Sequence, residues 1–130
     1  MKKIIVSDQA PKAIGPYSQA VYVDKLLFVS GQLPIEPANG TMPDDIKAQT
    51  KQSLKNIKAI LETAGLSMDN VIKTTVYLKD LGEFAEVNDM YATFFKKNPP
   101  ARVCVEISRL PKDALVEIDA IAYNGSKSAK

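Results

Sequence analysis

Apolar positions in this chain recur at two different periods, and the changes between them mark out the elements. Lys3–Val6 is a short apolar run read as a strand. Ala20–Val23 and Leu26–Ser30 are β-rich and flank Asp24-Lys25, which predicts a hairpin with its second strand broken at Gly31. From Asp44 to Ala64 the spacing becomes helical, with Ile46, Leu54, Ile57, Leu61 and Ala64 on one stripe. Asp44 and Asp45 suit the positive end of that helix, and Gly65 stands where a helix stops. Val71–Lys79 alternates again, with Ile72, Thr74, Val76 and Leu78 on one face and Lys73, Thr75, Tyr77 and Lys79 on the other. A second helical stripe, Phe84, Val87, Tyr91 and Phe94, predicts a helix over Glu83–Lys96, stopped by Asn98-Pro99-Pro100. Ala101–Ser108 and Leu115–Tyr123 are two more alternating strands, joined by Arg109–Ala114. Ala10–Tyr17 and Pro34–Pro43, rich in proline and glycine, are loops.

The order β-β-β-α-β-α-β-β predicts an α+β fold with two helices on one face of a mixed β-sheet. The other sheet face then has no helix to cover it, so it is either polar or buried by another subunit. The 130 residues fit one domain, expected over 1–124, with 125–130 a polar, frayed tail.

Alternation also sorts the last two strands. Val103, Val105 and Ile107 are expected against the helices, with Arg102, Cys104 and Glu106 on the opposite face. Val116, Ile118, Ala120 and Ala122 form one apolar side, and Leu115, Glu117 and Asp119 the other. A hairpin with matched apolar faces would set Cys104 near Glu117 and Arg102 near Asp119, on the uncovered face.

Composition narrows the chemistry. With no histidine, the chain holds no Ser-His-Asp triad, no Cys-His pair and no His-ligated metal. Cys104 is the single cysteine, which excludes an internal disulfide and fits a reducing, cytoplasmic setting. The N-terminal apolar run is too short for a signal peptide, and nothing approaches the length of a membrane span. Neither GxGxxG nor GxxxxGK[ST] occurs. The net charge of +2 is spread along the chain, which argues against a dedicated nucleic-acid surface.

Two readings stay open for each candidate. Arg102 is either half of a cross-strand ion pair with Glu117 or Asp119, or a fork that clamps a carboxylate. Cys104 is a small buried apolar residue or a nucleophile, although no histidine is present to activate it. Glu117 is a surface carboxylate, or an acid/base group if burial perturbs it. Tyr17, in Ile14-Gly15-Pro16-Tyr17-Ser18, anchors a rigid turn or presents its hydroxyl. Ser30-Gly31 is a plain strand end or a place where a ligand meets backbone. Asn88 lies off its helix's apolar stripe and is solvated unless something packs there.

Together these residues resemble the RidA/YjgF family of small imine deaminases, a family also labelled endoribonuclease L-PSP. The matching pieces are Ala13 to Ala20, Phe28-Val29-Ser30-Gly31-Gln32, Pro100 to Glu106, Leu110-Pro111-Lys112-Asp113 and Glu117 to Ala122. The resemblance implies a bacillus chorismate mutase-like fold, a homotrimer whose uncovered faces meet inside, and sites between subunits. It implies hydrolysis of 2-aminoacrylate-type enamines and imines to 2-oxo acids and ammonia, with no cofactor. Carried onto this chain, Arg102 would bind the substrate carboxylate and Glu117 would activate water. Backbone at Cys104 and Gly31 would hold the ligand, with Ser30 nearby. Asn88 would line the cleft and Tyr17 would come from the neighbouring subunit. Two other readings remain: a 2-oxo acid-binding regulatory protein without turnover, and a ribonuclease or translation inhibitor.

Overall fold

The computed structural model describes residues 1–125, so most of the expected tail at 125–130 lies outside the described residues. Strands β1 (Lys3–Ile5), β2 (Ala20–Val23), β3 (Leu26–Gln32), β4 (Val71–Leu78), β5 (Ala101–Glu106) and β6 (Val116–Tyr123) form one sheet in the order β1-β2-β3-β6-β4-β5. Helices α1 (Ile46–Thr63) and α2 (Phe84–Phe94) cover one face of it, as the periodicity predicts. The Asp45 side chain caps α1 by accepting from the Ala48 amide, and Gly65 follows with a φ of +82°.

The core lies between the helices and the sheet. Leu27 and Val29 of β3, Val76 and Leu78 of β4, and Val116 and Ile118 of β6 meet Leu54, Ile57, Ile60, Leu61 and Val87. The inner side of α1 is also rich in buried amides and hydroxyls. Asn56 Nδ2 donates to the carbonyls of Leu33 (3.0 Å) and Ile35 (2.9 Å), and Ser53 Oγ donates to Gln32 O (2.9 Å). Gln49 Nε2 donates to Pro43 O, while its Oε1 accepts from the Leu115 amide. These bonds satisfy loop backbone that would otherwise be buried without partners. They fasten the segment after β3, expected only as a surface connection, to the helix layer.

Several expectations are overturned. β3 runs through Gly31 to Gln32 and absorbs it as a register shift between Val29 and Gln32. Another shift between Val71 and Lys73 turns Ile72 away from Thr74, Val76 and Leu78, with which the alternation grouped it, and leaves it exposed. Most consequential, β5 and β6 form no hairpin. β4 lies between them, antiparallel to β6 and parallel to β5. The parallel pairing follows from α2, which carries the chain back across the sheet in a crossover before β5 begins. In that register Arg102 lies beside Thr74 and Cys104 beside Val76. Thr74, Val76 and Leu78 face the helices, so Arg102, Cys104 and Glu106 do too. Val103 and Val105 turn to the open face instead, 43% and 37% exposed.

The open face is therefore not polar. Ile4, Val23, Phe28, Val103, Val105 and Tyr123 are exposed apolar side chains, and their strand parity places them there. Glu117, Asp119 and Tyr77 are set among them. That many exposed apolar side chains on one sheet face mark an interaction surface.

Candidate active site

The candidate residues fall into two groups. The first surrounds a cleft of about 620 Å³ at the end of β3. Tyr17, Ser30, Gly31 and Glu117 all line it, with Lys12 and Lys112 on its rim and Ile14, Leu33, Ile35 and Pro111 as apolar wall.

Local chemistry explains how each is held. Glu117 alternates outward from β6, and its carboxylate lies against Gly31. A Cβ built on Gly31 would overlap the Glu117 carboxylate, so glycine is required here for close approach. Burial, with Asp119 adding a like charge, pushes the Glu117 carboxyl above the usual carboxylate range. Ser30 Oγ donates to Ser18 O at 2.6 Å and Ser30 N donates to Gln19 O at 2.9 Å. Both groups of Ser30 thus hold the Tyr17 loop to β3. Gln19, itself buried, completes the clamp: its Oε1 accepts from the Ser7 amide (2.7 Å) and its Nε2 donates to the Pro11 carbonyl (2.8 Å). Gly15, with a φ of +116°, makes the turn that presents Tyr17, which is 54% exposed.

On the far side of the cleft, Lys112 and Asp113 have φ values of +57° and +54°, a conformation costly for non-glycine residues. Arg109 Nε donates to Asp113 Oδ1 at 3.0 Å across this turn.

The second group gathers on α2. Arg102 Nη1 donates to Asn88 Oδ1 at 2.8 Å. Its guanidinium carbon lies 4.9 Å from the Tyr91 ring centre and 5.4 Å from that of Phe84. Tyr91 is in turn fixed by a 2.7 Å hydrogen bond with Thr74 inside the core. The cation is held from behind by an amide and two π faces, and the rest of its fork points outward from an edge strand. Among the described residues Arg102 makes no ion pair, so the expected bridge to Glu117 or Asp119 does not form. Cys104 is partly buried beside it. Burial raises the thiol's pKa more than Arg102 lowers it, which is the setting of a packing cysteine rather than a thiolate.

The two groups do not meet in one chain. Arg102 and Glu117 are two strands and three register positions apart and on opposite sheet faces. Sequence reasoning put all seven candidates in play but missed how they divide. It also missed Lys12, Gln19, Phe84 and Tyr91. Phe84 and Tyr91 were read as core stripe, and only the register of β5 shows that they also carry a cation. Among the described residues no cluster of three metal-ligating side chains occurs. No described helix is long and apolar enough to cross a membrane.

Comparison with known proteins adds four findings. The family model described as endoribonuclease L-PSP matches residues 7–124. A RutC family protein of Pyrococcus horikoshii is 58% identical over 124 residues, covering 95% of this chain and 98% of its own. The 2-iminobutanoate/2-iminopropanoate deaminase of Escherichia coli K12 is 50% identical over 125 residues, covering 94% and 98%. Among solved structures, E. coli TdcF with bound serine superposes with a TM-score of 0.91 at 47% identity, covering 93% of this chain and 98% of that one.

Proposed function

Starting from a chain that belongs to the endoribonuclease L-PSP family, the RidA/YjgF group, we propose that it hydrolyses small 2-imino acids to 2-oxo acids and ammonia. The fold is the chorismate mutase-like one of that family. The single observation that carries the activity is a half-buried carboxylate of raised pKa, Glu117, set against bare backbone at Gly31 in a cleft. A protein that merely bound 2-oxo acids through Arg102 would have no use for such a base. The serine held by E. coli TdcF, a small molecule with a carboxylate beside nitrogen, is of the same chemical class as the proposed substrate.

In this reading the protein is a homotrimer. Arg102 and Asn88 of one copy close over the cleft of the next, which supplies Tyr17, Ser30, Gly31 and Glu117. Two features support it: the site is incomplete in one chain, and the open face exposes apolar side chains that a second copy would cover. Arg102 grips the substrate carboxylate with two parallel N–H···O bonds. The backbone at Cys104 and Gly31 and the Tyr17 hydroxyl orient the imine. An enamine first becomes the protonated imine by gaining a proton at carbon, and an imine formed neutral gains the same proton at nitrogen. Glu117 takes a proton from water as its oxygen bonds to the imine carbon, giving a carbinolamine. The proton passes to nitrogen, the C–N bond breaks, and the hydroxyl loses its proton to leave the 2-oxo acid. The reaction as written consumes only water.

The test is direct. Threonine dehydratase generates 2-iminobutanoate in solution, where it hydrolyses unaided. The purified protein is expected to accelerate formation of 2-oxobutanoate and ammonia in proportion to its concentration. A correctly folded trimer that leaves the spontaneous rate unchanged would refute the proposal.

Gly31→Ala probes the same site from the backbone side. The new methyl overlaps the Glu117 carboxylate, so that side chain must swing away. The fold is expected to persist while kcat/KM falls by about a hundredfold, the cost of displacing a reacting group by roughly 1 Å. An unchanged rate would show that the position of the Glu117 carboxylate does not matter.

A further inference from the structure

Two residues beyond Glu117, on the same strand and the same face, lies a second carboxylate. Asp119 Oδ1 accepts from the Thr75 amide at 3.1 Å, and its Oδ2 accepts from the Tyr77 hydroxyl at 3.2 Å. Both donors come from β4, whose register sets Tyr77 opposite Glu117 and Thr75 opposite Asp119. A carboxylate that accepts at both oxygens is fixed in orientation and cannot rotate away. We propose that Asp119, locked by Thr75 and Tyr77, is a positioning residue that holds a carboxylate on the same face beside Glu117 and so tunes Glu117 as the general base. This rests on the reading of Glu117 given above and extends it to residues that take no part in holding substrate.

The surroundings favour this assignment. Facing Glu117 are Asp119 from its own strand, Tyr77 from β4, and Tyr17, Lys12 and Lys112 from the loops of the cleft; Lys73 lies further along β4 on the same face. From β3 only Ser30, Gly31 and Gln32 approach, with no charge. Asp119 is the fixed negative charge in this set, and after burial it is the second cause of the raised Glu117 pKa. The Tyr77 hydroxyl keeps its proton, since burial and then Asp119 raise its own pKa. A base works best when its pKa approaches the working pH, so a neighbour that lifts a carboxylate raises its efficiency.

The experiment is the pH profile of kcat/KM for imine hydrolysis in wild type, Asp119→Asn and Tyr77→Phe. Asn keeps the size of the side chain and removes the charge. The acid limb of Asp119→Asn is expected to move down by about half to one pH unit, with a several-fold lower plateau. Tyr77→Phe is expected to move it less and in the same direction. A purely structural role would lower the rate at every pH and leave the limb in place, which would overturn the proposal. An Asp119→Asn protein that fails to assemble leaves Tyr77→Phe to decide by the same limb. The reading of Glu117 fails separately: if Glu117→Gln retains full activity, Glu117 is not the base. If Glu117→Gln is inactive and the limb of Asp119→Asn is unmoved, only the role of Asp119 falls.

Discussion

Arg102→Ala is expected to lower kcat/KM for 2-iminobutanoate by about a hundredfold to ten-thousandfold, mostly through a rise in KM. Each charge-assisted hydrogen bond to a carboxylate contributes about 1.5–3 kcal/mol, and the fork offers two. The substrate carboxylate carries the same charge before and during reaction, so its loss is felt chiefly in binding. The fold has little stake in this side chain. Arg102 is exposed on an edge strand, where it meets the Asn88 side-chain Oδ1 and the faces of Phe84 and Tyr91. The melting temperature should therefore move little. Arg102→Lys is expected to recover only part of the loss, because an ammonium keeps the charge but has neither the planar fork nor the stacking on Tyr91. Steady-state kinetics on the three proteins give the answer, and an unchanged KM in Arg102→Ala would place carboxylate recognition elsewhere.

Glu117→Gln should act on the other kinetic constant. Losing a positioned general base costs about a hundredfold to ten-thousandfold in kcat, with KM nearly unchanged. The substitution is close to isosteric, so the contact with Gly31 survives. It also carries a pH signature. The base must be ionised to accept a proton, and burial raises the Glu117 pKa. Wild-type kcat/KM should therefore fall as pH drops through that raised pKa and be full above it. In Glu117→Gln nothing titrates at this position, so the acid limb should vanish and a low, flat rate remain. A limb that persists in Glu117→Gln would assign it to another group.

These two variants divide the site as the fold does. Arg102 belongs to the edge formed by β5 and α2, and Glu117 to the cleft between β3 and β6. Substrate is proposed to bridge the two where copies of the chain meet. In the proposed homotrimer, mixing the two impaired variants would create some interfaces with both groups intact, so part of the activity is expected to return.

The elements were legible because local periodicity reports local structure. The helical spacing from Asp44 to Ala64 marked α1 to within two residues at its start and one at its end. Alternation assigned the inward face of β6 correctly. Short motifs identified Tyr17, Ser30, Gly31, Arg102 and Glu117 as worth attention before any coordinate was known, and the family likeness gave the fold. The same alternation assigned the wrong face to β5. Parity says which residues lie together, not which side meets the helices, and here both sides of β5 are apolar enough to be buried. The inner side offers Cys104 and the stem of Arg102; the outer offers Val103 and Val105. Only the parallel pairing with β4, imposed by the α2 crossover, decides between them. The fastening of the Tyr17 loop by Gln19 and Ser30 and the approach of Glu117 to Gly31 were likewise invisible, because each joins residues remote in sequence. What the sequence by itself determined about this protein is which residues form strands and helices and which carry chemistry. Strand order, and with it the separation of Arg102 from Glu117 by β4 and the plane of the sheet, belongs to the tertiary structure. Order depends on which long-range pairings bury the most surface, a comparison that no local pattern contains.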